Sequence, residues 1–207
     1  MKILSLILGM TSVLALGGCI SASSTPSPRF YMLHTTDKAS AALEMAPNVV
    51  IEVGPVKIPE YQNRPQMVAQ DKDQMITFSE FDRWGEPLNS SIAQFVSQNF
   101  SVMLPGANLQ IYPANLAIPI GYQVILDVLQ LESQLDKDMF LVVQWSIVDV
   151  QNHKMLFSKR SEFRRSINPP NYTGLAQTLS EECISLSSEM SQKIVSLVAA
   201  AKDRNSK

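Results

Sequence analysis

The sequence predicts an α+β domain, a largely antiparallel sheet with two amphipathic helices packed on one face. Three observations lead there. Short β-branched and aromatic runs recur between Phe30 and Ile167, two stretches switch to a helical apolar period, and polar turns join the last three runs. Composition permits a core of that kind, since 45% of the 207 residues are hydrophobic and only 17% are charged. That balance argues against disorder.

The first element does not belong to the domain. Residues 1–18 read MKILSLILGMTSVLALGG, with Lys2 the only charge ahead of an uncharged apolar run. This is the n-region and h-region of a secretory leader, and at about 14 residues the run falls short of the ~20 that a membrane span needs. Leu16-Gly17-Gly18-Cys19 resembles the bacterial lipobox. Small residues let the peptidase approach the backbone, and the Cys19 thiol is the nucleophile that accepts a diacylglycerol. With a further N-acyl chain, three chains would hold the protein on its membrane, well past the two signals that stable anchoring takes. In lipoproteins of this type Asp after the Cys favours retention in the inner membrane. Ile20 stands there, so the expected location is the outer membrane, facing the periplasm. No other cofactor is expected. Residues 19–28 are the lipidated Cys and a Ser/Pro tether, a leash whose nine residues after Cys19 reach at most about 30 Å.

The domain is expected over residues 29–202, with 203–207 a polar tail. Phe30–Thr36 reads as a strand, and Asp37–Pro47 as an Ala-rich loop or helical turn. Val49–Val53 is a stronger strand ended by Gly54-Pro55, and Gln66–Asp71 with Gln74–Phe78 forms a hairpin about Lys72-Asp73. From Pro87 to Met103 the period changes. Leu88, Ile92, Phe95, Val96, Asn99, Val102 and Met103 fall on one helical stripe, opened by Pro87 and stopped by Pro105-Gly106. A short strand at Leu109–Tyr112 follows. Tyr122–Leu131, the run with Met139, Leu141, Val143, Trp145 and Ile147 on one face, and the more charged Met155–Ile167 then form a meander, the last near a sheet edge. Thr173 to Lys202 carries the longest helical stripe: Leu175, Leu179, Cys183, Leu186, Met190, Ile194 and Leu197. Cys183 on that stripe reads as a small buried hydrophobe.

Chemistry is mostly excluded. Two Cys and two His supply neither a zinc cluster nor a disulfide framework. The sequence has no GxSxG, P-loop, dinucleotide fingerprint or HExxH. His34 and His153 lack a nucleophile or ligand nearby, Glu181-Glu182 reads as a solvated helix face, and Glu80, Asp82 and Glu86 cluster about Trp84 without periodic placement. The expectation is a protein that is not an enzyme. With 17 Lys and Arg against 19 Asp and Glu, the charge gives no drive for nucleic-acid binding.

Residues 53–68 resist a purely structural reading. Pro55, Pro59 and Pro65 fix φ and remove three donors, so the segment is not expected in a central strand. Two readings stay open. One is a stiff, low-entropy binding edge that exposes Tyr61 and Arg64, residue types favoured at interfaces. The other is a rigid connector with Tyr61 packed down.

The lipobox, the Phe30-Tyr31-Met32-Leu33 strand, the V-G-P-V-x-I-P-x-Y-x-x-R-P-Q-x-V run at 53–68 and Trp84-Gly85-Glu86-Pro87-Leu88 occur here in order. Together they resemble the ABC-type transport auxiliary lipoproteins, the family of paraquat-inducible protein C. Gln62 departs from the pattern at a position where an apolar residue is expected, so its burial is not expected. The resemblance implies a role in phospholipid traffic between two membranes and in envelope integrity, beside a transporter that carries mammalian-cell-entry (MCE) domains. It implies docking onto that MCE-domain protein, anchorage in the outer membrane, and room for a homo-oligomer around a ring-shaped partner. Pro59, Tyr61, Arg64, Pro65 and Trp84 are the candidate partner contacts, although a Trp just before a helix more often packs onto a sheet. The rival readings are an assembly lipoprotein of another envelope machine and a lipid carrier with an apolar pocket between helices and sheet.

Overall fold

The computed structural model describes residues 26–35, 41–114 and 118–205. The leader, Cys19 and most of the tether lie outside them. In chain order the elements are β1 (Arg29–Tyr31), β2 (Val50–Lys57), a 3-10 turn (Glu60–Gln62), β3 (Gln66–Gln70), β4 (Ile76–Trp84) and α1 (Leu88–Met103). Then come β5 (Asn108–Ile111), β6 (Tyr122–Ser133), β7 (Asp138–Asp149), β8 (Lys154–Ser166) and α2 (Tyr172–Asn205).

The strands form two sheets rather than one. A small sheet has the order β1-β4-β3, and a larger one the order β5-β2-β6-β7-β8. The long ladders β6–β7 and β7–β8 are antiparallel, as is the β3–β4 hairpin, and the α+β class is as expected. β1 on β4 and β2 on both β5 and β6 pair in parallel, because the chain leaves the large sheet after β2 and returns only after the hairpin and α1.

Both helices lie on one face of the large sheet. α1 packs over β2 and β5, α2 over β7 and β8, and the two touch each other. Between them and the sheet sit Val53, Val124, Leu126, Met139, Leu141, Trp145 and Ile147 from the strands, with Phe95, Val96, Phe100, Leu179, Leu186 and Met190 from the helices. Each fully buried large apolar side chain contributes about 1.5–3 kcal/mol. α2 brings its backbone close by burying small hydroxyls. Ser180 and Ser187 donate to the Ala176 and Cys183 carbonyls at 2.8 and 2.7 Å, so neither is left unsatisfied.

Several expectations are corrected. β1 stops at Tyr31, well short of Thr36. The α1 stripe omits Val102, which is 51% exposed, and includes Phe100, which is buried. α2 extends to Asn205, so the polar tail is partly helical. Glu182 is not solvated: it is 3% exposed and accepts from Arg165 of β8, which also pairs with Glu181. β2 does not end at Gly54-Pro55 but runs through it as an interior strand. The physical reason is local. β5 pairs only with Val50–Val53, and the β6 register shifts between Val53 and Val56, so Pro55 occupies a bulge where no ladder donor is required.

Candidate functional site

Beyond Lys57 the chain leaves the sheet and folds into a proline-bounded turn. Pro59 caps the 3-10 turn with φ −56°, a value its ring dictates. The Gln62 and Asn63 amides donate back to the Pro59 and Glu60 carbonyls at 2.9 and 3.1 Å, and the Arg64 amide donates to Gln62 at 2.9 Å. Three successive backbone bonds between two prolines leave little freedom to the segment.

What holds the turn in place is one carbonyl. β2 pairs with β6 only as far as Asp127, which opens the β6 edge beyond it. The Leu131 carbonyl there accepts from Gln62 Nε2 at 2.7 Å and from the Tyr61 hydroxyl at 3.2 Å. Ser133 Oγ donates to the Val68 carbonyl at 3.0 Å, extending the seam into β3. Burial pushes the Tyr61 phenol above its ordinary pKa, and the Glu132 charge adds to that, so it stays a neutral donor. Gln62 is 4% exposed, against the sequence expectation. Its buried amide is satisfied by the strand edge, a partner that no local pattern announces.

The predicted contacts are thereby sorted. Pro65 is exposed, with Glu60 and Asn63 beside it, and Pro59 is half-buried. Tyr61 is half-buried with its hydroxyl turned inward, a placement between full exposure and packing down. Arg64 lies 4.0 Å over the Phe78 ring of β4. Trp84 donates its amide to the Pro65 carbonyl at 2.7 Å, but its indole is in the core at 5% exposure and supports the turn from beneath. Cys19 lies outside the described residues.

Sequence reasoning left Asp82 without a role. Arg29 grips this buried carboxylate through Nε and Nη2 at 2.8 and 2.9 Å, and Tyr31 Oη and Ser79 Oγ donate at 2.9 and 2.8 Å. Burial pushes the Asp82 pKa up, yet these hydrogen bonds and the Arg29 charge overcome it and hold it below the usual carboxylate range. The pairing ties β1, the first element after the tether, to β4. Arg29 directly before the Phe-Tyr run was the only sequence signal.

Elsewhere, a cleft of about 510 Å³ between β8 and α2 is lined by His34, Arg165, Ser166, Asn168, Gln177, Thr178 and Glu181. That polar lining is unlike the apolar walls of small-molecule sites. Among the described residues no cluster of His, Cys, Asp and Glu could hold a metal ion, and no helix is long and apolar enough to cross a membrane.

The family model described as ABC-type transport auxiliary lipoprotein component matches residues 31–191. Among solved structures, protein XCC0632 from Xanthomonas campestris superposes with a TM-score of 0.67 at 9% identity, over 85% of this chain and 99% of that one. An uncharacterized protein superposes with a TM-score of 0.64 at 16% identity, over 82% and 99%. At such identities the likeness is one of fold. No curated protein matches the sequence.

Proposed function

Because the chain belongs to the ABC-type transport auxiliary lipoprotein family, we propose that it is the outer-membrane-anchored, non-catalytic docking component of an MCE-type phospholipid transporter. Cys19 carries the acyl chains, and the turn at 59–65 is the edge that meets the MCE-domain protein. The observation that carries this reading is the fixing of that turn. Tyr61 and Gln62 lock it onto the Leu131 carbonyl, so Glu60, Asn63 and Pro65 are presented on a backbone with little entropy left to lose on binding. Arg64 leaves this edge and lies over the Phe78 ring of β4. By holding the far end of the assembly at the outer membrane, the protein would let phospholipid pass without crossing water, which supports envelope integrity.

A carrier is less favoured: the core side chains named above fill the centre of the helix–sheet space, and a cleft of about 370 Å³ at its edge, between α1 and β2, sets Asn89, Ser90 and Gln94 beside Ile111 and Tyr112 and so lacks a continuous apolar wall. The test is affinity capture from native membranes. The wild-type chain should recover an MCE-domain protein, and Pro65→Asp together with Tyr61→Ala should recover at least ten-fold less. Recovery of a synthase or an outer-membrane barrel in its place would refute docking. Mass spectrometry of the mature chain should begin at Cys19 with three acyl chains attached; a free Cys19 thiol would remove the anchor.

A further inference from the structure

The arginines are unevenly served. Arg29, Arg160, Arg164 and Arg165 each lie within 3.3 Å of a carboxylate, and Arg204 donates to the Ala200 carbonyl. Arg64 and Arg83 have no carboxylate among the described residues, and the Nε of each is buried with no acceptor. A buried unsatisfied donor is costly, and here two of them, both on charged groups, meet at one small sheet, Arg83 on β4 and Arg64 just ahead of β3.

They occupy the same face of it. Arg29 and Tyr31 reach Asp82 from one side of β4, and Thr77, Ser79 and Asp82 all act on the Tyr172 hydroxyl of α2, so they share that side. β4 bulges between Phe78 and Arg83, whose partners Val68 and Gln66 stand only two residues apart on β3, so both side chains turn to the other side. The ladder sets Phe30 directly beside Arg83, and Arg64 stacks on Phe78. Arg64 is also the neighbour of Pro65, whose carbonyl accepts from Trp84, so its side chain spans the distance between Arg83 and Phe78. Phe30 is 65% exposed and Phe78 47%. The result is a row of ring, guanidinium, guanidinium and ring, with apolar surface in water and positive charge without a counter-ion.

The chain itself places this face. Phe30 is eleven residues after Cys19, so about 36 Å of fully extended chain is the furthest it can stand from the acyl chains. Amphipathic rings and guanidiniums are also the groups that settle at the headgroup level of a bilayer. The acidic hairpin tip at Asp71 and Asp73 lies at the opposite end of β4 from Phe30, so it does not oppose that approach. We propose that the Phe30–Arg83–Arg64–Phe78 face seats on the headgroups of a bilayer containing anionic phospholipid, and that this contact orients the body on its leash. For its geometry the inference rests on the Cys19 anchor, but the contact itself is testable without it.

The mature chain bearing Cys19→Ser, and so no acyl group, is sedimented with vesicles of phosphatidylglycerol and phosphatidylcholine, and with vesicles of phosphatidylcholine alone. It should partition onto the first, lose that binding as salt is raised, and bind the second far less. Arg64→Gln and Arg83→Gln should each weaken partition about five-fold, and both together about 25-fold, with unchanged thermal melting. Equal partition onto both vesicle types, or no loss in a folded double variant, overturns the proposal. In the full lipidated chain, Phe30→Trp should be quenched by brominated phosphatidylglycerol. An unquenched Trp, in protein whose Cys19 is acylated by mass, overturns it as well and leaves the face to an acidic segment of a protein partner. An unmodified Cys19 alongside vesicle binding would instead count against the anchor and not against the face.

Discussion

Asp82 and Cys183 are both buried and both titratable, and their surroundings drive them in opposite directions. Asp82 is held below the usual carboxylate range because donors from Arg29, Ser79 and Tyr31 outweigh its desolvation. A depressed native pKa stabilises the fold at every pH above the unfolded value of about 3.9, and that contribution fades as pH falls through the native one. Asp82→Asn should therefore lower the urea midpoint at pH 7, and its difference from wild type should shrink below about pH 4. A constant difference from pH 7 to pH 3 would contradict this assignment. Cys183 has no such donors. Burial, with the adjacent Glu182 charge, pushes its thiol up to about 12, so almost none is thiolate at neutral pH. Iodoacetamide should leave Cys183 unmodified in the native protein and alkylate it fully in urea.

At the scale of elements, α2 depends on how its first turn is made. Asn171 Oδ1 accepts from the Gly174 amide at 3.0 Å, a cap of the usual kind. Gly174 has no room for a side chain, because a Cβ there would overlap the Pro169 carbonyl and stand 3.0 Å from the Asn168 carbonyl carbon. Gly174→Ala should cost about 2 kcal/mol or more in denaturant unfolding, as overpacking against backbone does. Tyr61→Phe should cost about 1 kcal/mol by removing one hydrogen bond to Leu131, and capture of the proposed MCE-domain partner should weaken with it. The helices and the meander were legible because their periods of 3.6 and 2 are carried by apolar residues that really are buried, from Leu88 to Met103 and from Met139 to Ile147. Illegible were the features set by distant partners. Glu182 looks solvated until β8 brings Arg165 to it, Gln62 looks exposed until the β6 edge opens at Leu131, and Pro55 looks like a strand terminator until β5 proves too short to need its donor. At the candidate site, the rigidity of the turn could be read from its prolines, whereas the unpaired state of Arg64 and Arg83 could not, because it depends on how the turn ahead of β3 folds onto β4 and not on either sequence neighbourhood.

The large sheet is strapped along its β8 edge by one long helix. α2 holds 34 residues, about 50 Å at 1.5 Å per residue, and crosses the edge strand with two polar clasps. One is Arg165 to Glu181 and Glu182. The other runs from Trp145 Nε1 to Ser161 Oγ and on to Glu189 at 3.0 and 2.7 Å, joined by Lys159 at 2.8 Å. Arg165→Leu would leave Glu182 charged and buried without a partner. The expected loss in thermal or urea unfolding is about 2 kcal/mol, below the range for a fully enclosed pair because Arg165 stays partly in water. The core described above is assembled from residues between Tyr31 and Val198, so the acyl-free Cys19→Ser chain should melt with the wild-type domain; a markedly lower melting temperature would show that the anchor also stabilises the fold. β1 gives that independence a mechanical side. Its three residues run parallel to β4 and are clamped by the Arg29–Asp82 fork. Under the proposed anchorage, a pull along the strand on the chain ahead of Arg29 would load the ladder and the fork together, in shear, and would reach the body through β4 and the hairpin before it could peel the first strand away.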